Sequence, residues 1–161
     1  MIIKTIRSEW FQDYKLPSMF IAFPNCSFKC DKECGKNTCQ NSHLSKLQNI
    51  KISVVSVIEK YIQNPITKAI VCGGLEPFDS FDDLWCFIFI LRKAFCCDDP
   101  VVIYTGYTEQ ECIDSGWIGL LENFKNIIVK FGRYIPDQQT CFDDILGVRL
   151  ASDNQYAVKI S

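Results

Sequence analysis

A mostly parallel α/β fold is what this sequence predicts, and three observations carry the prediction. Short, almost wholly apolar runs alternate with longer runs in which apolar residues recur every three or four positions. The short runs end on glycine or on a Pro-Asn turn, and no regular polar alternation gives them a wet face. Strands that are apolar on both faces belong to parallel sheets covered on both sides.

In chain order, the opening residues alternate apolar and polar through Ile2, Ile3, Thr5 and Ile6. Residues 18–23 are the first buried strand, closed by Pro24 and Asn25, and polar chain continues to about Asn49. Residues 53–62 predict a helix with Ser53 as cap and Asn64–Pro65 as stop. A second buried strand, 68–72, is followed at once by Gly73 and Gly74. The helix from Phe81 to about Cys96 has Asp79 or Ser80 as cap, with Asp82 and Asp83 in the first turn, where the helix dipole favours acids. Its apolar run is far shorter than the ~20 residues that a bilayer span needs. With Arg92 and Lys93 directly following, it reads as a helix covered by protein. Residues 100–105 make a third strand ending at Gly106, and 108–114 a short helix opened by a Thr108/Glu111 capping box. Residues 126–131 make a fourth strand ending at Gly132. Two further short strands, 146–150 and 156–160, flank the polar turn 152–155.

A chain of 161 residues reads as one domain spanning 1–161, large enough to fold without staples. Its net charge of −2 and the lack of any Lys/Arg run argue against nucleic-acid binding. No membrane attachment is expected either. The first ten residues have no signal core, so a reducing cytoplasm is expected and the ten cysteines do not read as five disulfides. Cys72, Cys86, Cys96, Cys97, Cys112 and Cys141 lie in apolar or helical contexts and read as small buried hydrophobes. Trp10, Phe11 and Tyr14 read as cover for the sheet edge, and Arg133 as a salt-bridged side chain.

Cys26, Cys30, Cys34 and Cys39 are different, because they crowd fourteen residues of otherwise polar loop. Thiols so placed hold a metal or cross-link. Structural zinc sites usually pair two separate cysteine knuckles, and here there is one loop with only His43 nearby, itself read as a surface residue. An iron–sulfur cluster, a zinc ion and no metal all remain open on spacing alone. Gly73, Gly74 and Glu76 follow the second strand, where glycines allow close backbone approach and a carboxylate can meet an ammonium. The cysteine loop, Gly73–Gly74, Thr105–Gly106 and Gly132–Arg133 all follow strands, and in a parallel sheet such loops share one edge and outline a site.

Cys26-x3-Cys30, a third cysteine in Cys39-Gln40-Asn41, and Gly73-Gly74-Leu75-Glu76-Pro77 together resemble the radical S-adenosylmethionine enzymes. Residues 103–107 with Thr108–Glu111, then 128–133 and 146–155, run in the order of the small anaerobic ribonucleotide reductase activating proteins. The resemblance covers about residues 16–160. It implies a small open, partial barrel of mostly parallel strands with helices on the outside. It also implies a [4Fe–4S] cluster held by Cys26, Cys30 and Cys39, with Cys34 as rival third ligand, and S-adenosyl-L-methionine contacted by Gly73, Gly74, Glu76, Thr105 and Asn154. The implied activity is reductive cleavage of that cofactor to place a glycyl radical on the large reductase subunit, with electrons from a reduced flavodoxin- or ferredoxin-type donor. Two departures stand out: eight residues, not two, separate the second and third cysteines, and Leu75 is inserted before Glu76. Other readings are a radical S-adenosylmethionine enzyme acting on another protein or small molecule, and a non-catalytic, zinc-stabilised α/β binding module.

Overall fold

The computed structural model describes all 161 residues. In chain order the elements are β1 (Ile2–Ile3), β2 (Thr5–Trp10), β3 (Ser18–Phe23), α1 (Lys29–Cys34), α2 (Ser42–Ser45), β4 (Ile50–Lys51), α3 (Val54–Ile62) and β5 (Ala69–Gly74). A 3-10 turn at Pro77–Ser80 leads into α4 (Phe81–Lys93), then β6 (Val101–Tyr104), α5 (Glu109–Asp114), α6 (Trp117–Leu121), β7 (Ile127–Phe131), β8 (Cys141–Asp143), β9 (Val148–Leu150) and β10 (Tyr156–Lys159).

The mixed α/β architecture is built on a six-stranded sheet of order β10-β7-β6-β5-β3-β2. Its four central strands are parallel, and β10 and β2 are added antiparallel at the two edges. No closed barrel forms, because β2 and β10 end the sheet without pairing to each other.

Alternation along the strands sorts the side chains onto two faces. Met19, Ile21, Ile70, Cys72, Ile103, Val129 and Phe131 face one way and join residues of α3, α4, α5 and α6 in a core of 23 buried residues. The opposite face carries Ala69, Val71, Val102 and Ile128, with Phe20 and Tyr104 packed against them, and no helix contributes to it. Tyr14, Leu146 and Leu150 cover that face instead. All the long helices therefore lie on one side, and loops roof the other.

Several elements differ from expectation. Gly73 and Gly74 belong to β5, because β3 runs beside them in register through Ala22 and Phe23. Gly74 takes φ +90°, and a Cβ there would stand 2.7 Å from Ala22, so the strand can pack this close only with glycine. The helix after Ser80 stops at Lys93, before Cys96. Ser53 occupies the N-cap position of α3 without a side-chain hydrogen bond, whereas Thr108 and Glu111 do form the capping box of α5. The strand expected at 146–150 shortens to β9 and pairs with β8 outside the main sheet, a pairing that no local pattern announces. Of the six cysteines read as buried hydrophobes, Cys72 and Cys112 are buried, Cys96 is exposed, and Cys86, Cys97 and Cys141 are half-buried. Trp10 stacks on Phe20 at 5.2 Å and Tyr14 is buried, while Phe11 is exposed.

A buried guanidinium fastens the end of the sheet opposite the site. Arg92 donates to the carbonyls of Cys97, Asp99 and Lys125 at 2.5 to 3.1 Å. Replacing it with methionine strands those acceptors. Arg92→Met is expected to cost about 3 kcal/mol of unfolding free energy in urea titrations.

Candidate active site

The expected C-terminal edge is where the chemistry gathers. Cys26, Cys30, Cys39, Gly73, Gly74, Glu76 and Thr105 all line one cavity of about 480 Å³, a volume within the range of small-molecule sites. Cys34 is not among its walls. His43 is exposed on α2 at the cavity's margin.

The cysteine loop leaves β3 through Pro24 and Asn25, and Glu76 N donates to Asn25 O at 2.7 Å, which fixes the loop against the end of β5. Ser27 N donates to Asp79 Oδ2 at 2.5 Å. Phe28, at φ +52°, turns the chain into α1. The long spacing between the second and third cysteines is absorbed here: α1 makes a turn and a half, and Gly35 at φ +64° ends it. Asp31 Oδ1 then accepts from Thr38 N at 2.7 Å and from Cys39 N at 2.8 Å. That carboxylate folds the extra residues into a closed loop and returns Cys39 to the cavity, while Cys34 rides on the helix outside it.

All ten cysteines are free thiols. Burial pushes the Cys26 thiol up to about 12, and burial likewise raises Cys30 and Cys39. Phe28 N donates to Cys26 Sγ at 3.2 Å. The backbones of Tyr134 and Asn41 act on Cys30 and Cys39 in the same sense, offsetting part of the rise. Three thiols served by backbone donors are a donor set suited to iron–sulfur ligation. They share a cavity without converging on one point: no three His, Cys, Asp or Glu side chains are close enough to grip a single metal ion.

Nothing buried in α1 attaches it to the body of the protein. Charge does so. The Arg133 guanidinium, itself buried, meets Glu33 Oε1 at 3.0 Å and Glu111 Oε1 at 2.7 Å, which joins α1 to α5. Lys29 Nζ adds a 3.2 Å contact to Glu111 and lies 4.3 Å from the Tyr107 ring centre. The expectation of a salt-bridged Arg133 holds. Hydrogen bonding from Arg133 foremost, with Thr108 and Lys29, draws Glu111 down to about 2.

Glu76 is buried at 5% exposure and caps the 3-10 turn. Its Oε1 accepts from Phe78 N at 3.1 Å and its Oε2 from Gly106 N at 2.8 Å, and the Thr105 hydroxyl acts on it as well. Leu75, the inserted residue, lines the cavity beside it. Thr105 is buried, and its Oγ1 accepts from Tyr107 N at 2.9 Å. Asn154 lies behind the wall: its Nδ2 donates to Arg133 O at 2.9 Å, and the neighbouring Gln155 faces the cavity in its place. The pair braces the Gly132 corner, where Gln155 Nε2 donates to Gly132 O at 3.2 Å.

Sequence reasoning missed Lys130, Tyr104, Phe20 and Asp13, which line the same cavity from the roofed face of the sheet. One signal for Lys130 was present, since it is the lone charge in a strand that is otherwise apolar. Comparisons with protein-family models, curated proteins and solved structures give no match to this chain.

Burial is the main cause that lifts Glu76 to about 7 from the ordinary 4.5, ahead of the opposing bonds from Gly106, Thr105 and Phe78. Between those values the folded chain binds more protons than the unfolded one, so this carboxyl stabilises the fold at low pH and that stability is lost as pH rises through about 7. Urea midpoints between pH 4.5 and 7 should show a downward contribution that disappears in Glu76→Gln. An unchanged slope in that variant would remove Glu76 as its source.

Proposed function

We propose that this chain is a radical S-adenosyl-L-methionine enzyme whose reaction places a glycyl radical on the large subunit of an anaerobic ribonucleotide reductase. The observation that carries the reading is the meeting of Cys26, Cys30, Cys39 and Glu76 on one cavity at the C-terminal edge of a parallel sheet. Cys26, Cys30 and Cys39 would each hold one iron of a [4Fe–4S] cluster, and the bound cluster with S-adenosyl-L-methionine supplies one-electron cleavage of the sulfonium.

The chain's own residues bind, orient and exclude water. Glu76 presents a desolvated carboxylate to the ammonium of the methionine moiety, and Gly73 and Gly74 leave bare backbone beside it. Thr105 keeps that carboxylate in place, and Asn154 supports the Gly132–Arg133 corner from behind. The sheet stays open between its edge strands β2 and β10, which would let a protein substrate reach the cavity from one side. A reduced flavodoxin- or ferredoxin-type donor in an anaerobic cytoplasm suits this chemistry. No helix is long and apolar enough to cross a membrane.

Reduced protein reconstituted with iron and sulfide should convert S-adenosyl-L-methionine to 5′-deoxyadenosine. Cys26→Ala, Cys30→Ala and Cys39→Ala should each abolish the product, and Cys34→Ala should retain it. A colourless chain with one tightly held zinc would sink the enzyme reading. A fully active Cys39→Ala would sink the choice of third ligand.

A further inference from the structure

The apolar run of α4 is wider than one buried face requires. Leu84, Phe87, Ile88 and Leu91 point into the core beneath the helices, and Arg92 is buried beside them. On the outer side Trp85, Cys86 and Ile90 are half-buried and Phe89 is 40% exposed. A helix that is apolar all round is normally covered all round, and here the outer side is left to solvent. That surface is already ordered: Trp85 and Phe89 stack with their rings 5.0 Å apart, and Trp85 meets Phe124 edge-on at 6.0 Å. A contact made there gives up little side-chain freedom.

Asp82, Cys86, Phe89 and Lys93 follow one another along this outer side at spacings of four, three and four residues. Such spacing is the seam of a two-helix coiled coil. An acid stands at its start, a base at its end, and apolar side chains lie between. Asp82 and Lys93 are both exposed, and neither takes part in any ion pair of the fold. Across an antiparallel two-fold through the middle of the seam, Asp82 meets the partner's Lys93 and Cys86 meets the partner's Phe89. A parallel arrangement would set acid against acid and base against base. The seam is therefore complementary to itself in one orientation only, as an isologous contact requires.

We propose that the outer face of α4 is a homodimer interface, in which α4 packs antiparallel on α4 of a second copy of this chain. No residue of α4 lines the cavity, and the sheet separates this face from the roof, so the pairing does not compete with the site. The neighbouring helices add apolar surface of their own, with Val55 and Ile62 exposed on α3 and Leu120 on α6. A contact centred on one helix pair is small, which sets the expected association in about the micromolar range. None of this draws on the chemistry of the cysteine cavity, and it stands or falls apart from the functional reading.

Sedimentation equilibrium of the full chain from about 1 μM to about 500 μM tests the pairing, with a thiol reductant present so that no disulfide holds two copies together. Wild-type chain should pass from monomer to dimer within that range. Phe89→Glu puts a charge at the centre of the seam from both sides and should raise Kd by about a hundredfold or more. Phe89 is exposed, so that variant should keep the far-ultraviolet circular dichroism of the wild type. Lys93→Glu sets like charges against each other at both ends and should weaken the dimer by about threefold to tenfold. Adding Asp82→Lys to Lys93→Glu restores opposite charges across the seam and should recover the dimer. Wild-type chain that stays monomeric throughout overturns the proposal, without needing any variant to fold, and leaves the face to a different protein. A dimer that Phe89→Glu leaves intact overturns it as well. A Lys93→Glu chain that pairs as tightly as wild type, or that Asp82→Lys fails to rescue, overturns the antiparallel register.

Discussion

One buried carboxylate holds the site edge together. Glu76 ties three strand ends at once: its N–H fixes the loop after β3, its Oε1 closes the turn after β5, and its Oε2 holds the Gly106 corner after β6. Each tie is an ordinary hydrogen bond. Their convergence on a desolvated group is what costs, and the rise of its pKa to about 7 reflects that cost. With Glu76 in place, the cysteine loop, the glycine wall and Thr105 share a single cavity. Without it, the three loops would have no common fixed point.

The cysteine segment obeys different physics from the sheet beneath it. The four parallel strands are held by apolar burial and register, which are stiff and insensitive to salt. Helix α1 has no buried residue and relies on Arg133, Lys29, Glu33 and Glu111, so its attachment is electrostatic and partly exposed to solvent. Segments of that kind open at lower free energy than the core. Under the proposed function such a hinge would let the loop admit a bulky inorganic group, with Asp31 holding the internal shape of the loop through its bonds to Thr38 N and Cys39 N.

Much of the scaffold was legible because it depends on local pattern. β3 runs over the expected residues 18–23, and the Thr108/Glu111 capping box forms as written. Legibility failed where partners are distant in sequence. β8 pairs with β9 on the roof, and the glycines after Cys72 are drawn into β5 by the proximity of Ala22. The thiols, Glu76 and Thr105 could be placed on one edge because parallel strands put their ends together. Which cysteine stands apart could not, since that depends on how Asp31 folds the extra loop. Lys130 was passed over because a lysine inside a buried strand is invisible to motif reading, although its isolation among apolar neighbours was itself the clue.

All the long helices pack on one face of the sheet, and the other is roofed by residues 11–16 and the β8–β9 region. This divides the molecule into a floor and a lid with different tolerance for change. Floor positions such as Val71 are confined by neighbouring strands on either side, and Gly74 by Ala22 of β3. The lid is tied down by a handful of side chains, Tyr14, Leu146 and Leu150 among them. An engineer seeking to alter what reaches the cavity could therefore exchange the lid as a module and leave the parallel strands untouched, much as a lock is rekeyed without recutting its case.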